Sequence, residues 1–338
     1  MKKLNALMAL ALCATGTSNA AASSSWDVSV WGAPRAFTHH VETLADLVAE
    51  RSGGEFTLNI SYGELSPARE NLDGIAAGKF EMAQFCAGYH PERNATLTTL
   101  ELPFLGVSSI EQEVALSTYF YQQPAVIAEL AQWDATLLMP SPLPQYNIMG
   151  RGEAPATITN LRGLRIRATG GIAAALEALG AETVSASASE TKDLLSNGEI
   201  DAVAFAPHAH MAFGIVEQAN WWTTNLNPGT VHCPVVVNSS ALAALSPEHR
   251  DILLASVPDA LDAYVENYNV NTMARWGVAL GENNITQVEF ATSDVNMLAD
   301  ALVDRVVIDW LGDVAATGQP AQDLFGAVVG FLNEASGS

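Results

Sequence analysis

Strand and helix patterns alternate from residue 26 onward, and that alternation restricts the fold more than any other feature. Residues 26–31 read as a strand ended by Gly32-Ala-Pro34. Residues 36–51 carry Val41, Leu44, Leu47 and Val48 at helical spacing, with Gly53-Gly54 as the stop. Residues 56–62 alternate as a second strand. Ser66-Pro67 then offers a helix N-cap and a proline for the first turn, and the helix passes Leu72 and Ile75 to Gly78. Residues 80–86 form a third strand. A β-α-β-α-β run builds a doubly wound sheet, so the fold class is α/β. Ligands of such sheets sit beyond the carboxyl ends of the strands.

The later chain continues in the same manner. Ser108-Ser-Ile-Glu111-Gln112 is a capping box opening a helix that Pro124 interrupts. Strands are expected at 136–139, 145–149, 164–168, 201–205 and 230–238. Helices are expected at 172–179, from Ser189 to Ser196, and from Pro207. Ser246-Pro247 starts a helical region to Leu280, with a kink expected at Pro258, and the last ~40 residues read as helical.

The N-terminus has the three parts of a secretory leader. Lys2 and Lys3 are basic, residues 4–14 are apolar, and Ser18-Asn-Ala20 or Ala20-Ala-Ala22 gives a small-x-small cleavage site. Residues 1–22 are therefore expected to be a signal peptide; the apolar run falls short of the roughly 20 residues of a membrane span. Leu12 precedes Cys13 where a lipidated cysteine follows a small residue, so lipidation is not expected. Removing Lys2 and Lys3 takes the formal charge from −22 to −24 and leaves only Lys79 and Lys192 as lysines. Such a surface repels nucleic acid and anionic membranes, and neither is expected as a partner. Beyond the leader two cysteines remain, Cys86 and Cys233. They lie far apart in apolar strand-like runs, so two buried thiols are expected rather than a bridge.

The segment Leu161-Arg-Gly-Leu-Arg-Ile-Arg167-Ala-Thr-Gly-Gly171 reads as a turn, a short strand and a helix start. Arg165 and Arg167 share a strand face and Ile166 takes the other. A guanidinium at a strand end beside a helix N-terminus is a fixed two-pronged donor for a carboxylate. Trp31 ends the first strand, Tyr89 follows the third, and Tyr146 precedes Asn147. With Phe205 and His208 these rings can stack on an aromatic acid or cage a small cation. Trp221-Trp222 is the other aromatic candidate, although tryptophan pairs are more often core. His39-His40, His90, His208, His210 and His232 match no zinc spacing, so no metal and no cofactor is expected. No nucleophile elbow, phosphate loop or triad signature is present, so no catalytic residue is assigned.

The order of these pieces resembles a known family. Ser189-Glu190, Leu194-Leu195, Gly198 and Asp201 follow the arginine strand as S-E-x-x-x-A-L-x-x-G-x-x-D follows L-x-G-L-x-x-R in the substrate-binding proteins of TRAP (tripartite ATP-independent periplasmic) transporters. Glu101-Leu-Pro-Phe104 and Leu245-Ser-Pro-Glu-His-Arg250 are similar to two further motifs of that family. The resemblance implies a periplasmic, non-enzymatic, monomeric binding protein with two α/β domains, crossing strands and a long interdomain helix. The division implied is 26–143 with 232–272, and 144–231 with 273–335. It also implies a cleft that closes on ligand, delivery to membrane permease subunits, and a ligand carboxylate on Arg167. Departures point to a less polar pocket: Phe205 stands where many members have an amide, Cys86 where some have an acid, and Asn147 where sialic acid binders have a second arginine. The expected site is thus Arg167 with Trp31, Cys86, Tyr89, Tyr146, Asn147, Phe205, His208 and Trp221. A small organic carboxylate is the leading ligand class. An aromatic acid, or a small amine or ethanolamine-like amino alcohol, is the alternative; a secreted α/β enzyme or a metal-binding protein is the rival outside the class.

Overall fold

A computed structural model of the chain describes residues 23–336, so the leader expected over 1–22 lies outside the described residues. β1 (Ser24–Val30) buries Trp26, Val28 and Val30 and turns Ser25 and Asp27 outward. Helix His39–Arg51 buries Val41, Leu44 and Val48, the face its spacing predicts. β2 (Phe56–Tyr62), helix Asn71–Ala76 and β3 (Met82–Gln84) complete the opening unit. β1 pairs in parallel with both β2 and β3, as a doubly wound sheet requires. Pro124 does divide the next helical region, beginning helix Pro124–Ala131 after helix Ile110–Phe120. β4 (Ala135–Met139) follows.

The chain then builds a second sheet from β5 (Asn147–Gly150), β6 (Arg165–Arg167), β7 (Glu182–Val184), β8 (Ala202–Phe205) and β9 (Trp221–Thr223). β10 (Val235–Asn238) returns to the first sheet, and β11 (Thr286–Val288) joins the second. The strand orders are β2-β1-β3-β10-β4 and β11-β9-β5-β8-β6-β7. Two crossing segments run side by side between the sheets, where Tyr146 N–H donates to the Gly229 carbonyl at 2.8 Å. A third connection is the long helical run 247–282. It passes through Pro258 without a break, and its irregular turn falls later, at the π-helical Tyr268–Thr272. Pro258 has no N–H for the Leu254 carbonyl, and Leu254 is exposed, so water can take that role.

Two expectations are corrected. The strand expected at 230–238 is confined to β10, because 229–234 is a crossing segment and Pro234 lacks the N–H a ladder needs. Cys86 and Cys233 are not two thiols; they form a disulfide. The cause is register. β3 and β10 are antiparallel with Gln84 opposite Val235, so two residues further out Cys86 faces Cys233. Phe85 N–H to Pro234 O and Ala87 N–H to His232 O carry the pairing past the strand ends.

The C-terminal helices divide their contacts. In helix Thr292–Ala316, Leu298 and Leu302 pack with the second sheet's core, while Val314 meets Ala95 and Ala321. In helix Ala321–Ser336, Leu324, Val328 and Leu332 pack with Leu72, Phe80 and Phe120 of the first sheet's layer. No helix among the described residues is long and apolar enough to cross a membrane.

Candidate functional site: a cavity between the two sheets

Arg167 ends β6 with only 3% of its surface exposed. Its Nε and Nη2 both donate to one acceptor, the carbonyl of Ala186, at 3.0 and 2.7 Å. Its guanidinium lies over the Phe205 ring, 4.7 Å from the centroid. No Asp or Glu forms an ion pair with it among the described residues. Burial away from water therefore lowers its pKa, and the ionisable groups around it only partly offset that. Arg165, two residues earlier, is half exposed and held by Asp201 through two hydrogen bonds of 3.0 and 2.6 Å. The two arginines of one strand thus serve different purposes, and Arg165 is a structural pair.

Around Arg167 closes a cavity of about 30 Å³ lined from both sheets. Trp31, Cys86, Tyr89, Tyr146, Phe205 and His208 all line it, each at the place its segment predicts. His208 opens helix Pro207–Ala212 and its Nδ1 lies 2.9 Å from the Tyr268 hydroxyl. Burial holds that imidazole neutral, its pKa well below the ordinary value. Cys86 contributes as half of the disulfide, so this wall is a bridged, apolar one.

Asn147 and Trp221 are not among the lining residues. Asn147 Oδ1 accepts from Thr223 Oγ1 at 3.1 Å and Leu226 N–H at 3.0 Å, and its Nδ2 donates to Asn227 at 2.7 Å. It braces the start of a crossing segment. Trp221 is buried in β9 against Gly150, and its indole N–H donates to Arg151 O at 3.1 Å. The histidines do not converge: no group of three His, Cys, Asp or Glu is placed to hold a metal among the described residues.

The sequence reading missed Arg35, which lines the same cavity. It follows the Pro34 turn at the carboxyl end of β1, the position the doubly wound rule marks for ligands. Its Nη1 donates to the carbonyls of Trp31 and, at 3.2 Å, Ala33. Its guanidinium lies 5.3–5.7 Å from the rings of Trp31, Phe37 and Phe213. Burial lowers its pKa to about 10. The lining therefore holds two guanidinium groups, a wall of rings, and no Asp or Glu.

Residues 28–304 match the DctP family, described as bacterial extracellular solute-binding protein, family 7. The chain belongs to the DctP family. DctP proteins are the periplasmic solute receptors of TRAP transporters, and the chain is a binding protein rather than an enzyme. Its fold is shared with solved structures. A TRAP protein of Rhodoferax ferrireducens with copurified benzoate superposes with a TM-score of 0.83 at 17% identity, covering 93% of this chain and 99% of that one. A marine metagenome protein specific for aromatic acids gives 0.82 at 19%, covering 92% and 99%. A Bordetella pertussis receptor binding pyroglutamic acid gives 0.78 at 19%, covering 90% and 99%.

In this DctP chain the two halves meet at Glu101. Its Oε1 accepts N–H groups of His232 at 2.8 Å and Gly88 at 3.2 Å, and burial pushes its pKa up to about 7. A β-carbon on Gly170 would stand 2.0 Å from Glu101 Oε2, so only glycine admits this approach. Outside this contact lies a wider cleft of about 720 Å³ that shares Tyr89 and Thr169 with the inner cavity. Its only basic lining residue among the described residues, Arg305, lies 4.0 Å from Asp309. The inner cavity, where buried cations lack an acid partner, is the candidate site.

Proposed function

We propose that the protein captures a small organic carboxylate in the inner cavity through Arg167 and hands it to TRAP permease subunits in the membrane. The observation that carries this reading is the buried Arg167 guanidinium with no carboxylate partner among the described residues. An isolated buried charge costs several kcal/mol, and a bound carboxylate removes that cost with two parallel charged hydrogen bonds. The relatives that hold benzoate, aromatic acids and pyroglutamic acid support the class. An amine or amino alcohol would be repelled by the two guanidinium groups of the wall, with no acid in that lining to offset them. We also assign 26–143 with 232–272 to one domain and 144–231 with 273–316 to the other. The helix Ala321–Ser336 goes with the first domain, on whose core it packs. Export by the leader completes the proposal. A thermal-shift screen of the processed protein over carboxylates, amines and divalent metals tests it. Carboxylates alone should raise the melting temperature; stabilisation by amines or metals in their place would overturn the reading.

A further inference from the structure

The Arg35 end of the cavity carries donors that the described residues leave unanswered. Arg35 Nε is enclosed and has no hydrogen-bond partner among the described residues. Trp31, only 4% exposed, has an enclosed indole N–H that also has none. Both are donors without acceptor capacity, so only an acceptor oxygen satisfies them. Buried polar groups in native proteins are otherwise almost always paired.

The two ends are separate. Arg167 stacks on Phe205, Phe205 meets Phe213 at 5.9 Å, and Arg35 covers Phe213 at 5.4 Å. Two rings thus stand between the guanidinium groups, and a carboxylate on Arg167 leaves the donors at the Arg35 end unanswered.

We propose that Arg35, with the Trp31 indole N–H, is a second recognition point that selects acids bearing another acceptor oxygen at the end remote from the carboxylate. The inference rests on the carboxylate reading of Arg167. Rings line the space between the two points, which suits a flat, apolar ligand body once the ~30 Å³ cavity opens to admit it. Arg35 Nη1 is fixed by the carbonyls of Trp31 and Ala33, which holds Nε in place without bonding it. A plain acid leaves both donors buried and unpaired; an oxygen at that end pairs them.

Matched probes decide the matter: benzoate against terephthalate, and phenylacetate against 4-hydroxyphenylacetate, titrated calorimetrically into the processed protein. Wild type should prefer the oxygen-bearing member of each pair by roughly tenfold or more, the usual effect of a hydrogen bond to a charged group. Arg35→Met keeps the length and packing of the side chain. It should erase that preference, costing the oxygen-bearing acids roughly tenfold more affinity than the plain ones. Equal affinities within the wild-type pairs, or no binding of any probe, would overturn the assignment, and so would an equal loss for both members in Arg35→Met. The wild-type comparison stands alone if Arg35→Met fails to fold. Arg167→Met reports on the underlying reading separately: retained binding of benzoate there would mean that the carboxylate anchor itself is misplaced.

Discussion

Glu101 and Gly171 meet so closely that a β-carbon on Gly171 would lie 1.9 Å from the Glu101 carbonyl oxygen. The obstacle is backbone, which cannot swing aside as a side-chain tip can. Gly171→Ala should therefore keep the second sheet's helix from seating against the first half. We expect ligand affinity to fall by about tenfold or more. Small-angle scattering should show a larger radius of gyration than wild type at saturating ligand. Wild-type affinity and compaction in the variant would show that this contact is not part of closure.

Buried histidines set the acid limit of the fold. Burial lowers His40 and His210 from 6.5 to about 3 and holds His208 well below its ordinary value. Each contributes stability that is present above 6.5 and is lost as pH falls toward the folded value, because the unfolded chain takes the proton first. Glu101 works in the opposite sense. Its pKa rises from 4.5 to about 7, so its contribution is present below 4.5 and is lost as pH rises through 7. Between these limits the three imidazoles outweigh Glu101, so unfolding takes up protons and stability rises with pH. Glu101→Gln should steepen the acid loss by up to about one proton, or roughly 1.4 kcal/mol per unit. Urea unfolding followed by circular dichroism at about pH 5, 6 and 8 measures both slopes. A flat profile over that range would contradict the histidine assignment.

The bridge between Cys86 and Cys233 ties β3 to the crossing segment beside the cavity. Replacing both with alanine should lower the unfolding free energy by roughly 2–5 kcal/mol. Ligand binding should weaken as well, since both residues form cavity wall. Chemical unfolding of oxidised and reduced protein checks the first point and calorimetry the second. Equal midpoints with and without reductant would show that the bridge contributes nothing.

Local signals in the sequence were strong where side chains follow a period. β2 falls on the expected 56–62, and Pro124 divides two helices as its missing N–H requires. Arg167 was legible because a strand end before two glycines fixes where its side chain goes. The disulfide was not, because it depends on the register of two strands separated by 147 residues. Trp221 stood with Trp222 as an aromatic candidate although such pairs are more often core, and β9, like β7 and β11, is only three residues long. A strand that short shows no alternation, so its burial could not be read. Arg35 was missed for a different reason. It sits after a proline turn, where an arginine ordinarily faces water, and the folded rings of Trp31, Phe37 and Phe213 enclose it.

The central claim is that Arg167 holds the ligand carboxylate, and calorimetric titration of Arg167 variants with a carboxylate found by screening tests it most directly. Arg167→Ala should weaken binding by roughly 2–4 kcal/mol, or ~30- to 1,000-fold. Arg167→Lys should also weaken it clearly, because an ammonium cannot reproduce the planar two-pronged donor. Arg165→Ala should change it far less, since that side chain is held by Asp201. Circular dichroism establishes that each variant is folded. A folded Arg167→Ala protein that binds the carboxylate as tightly as wild type would contradict the account.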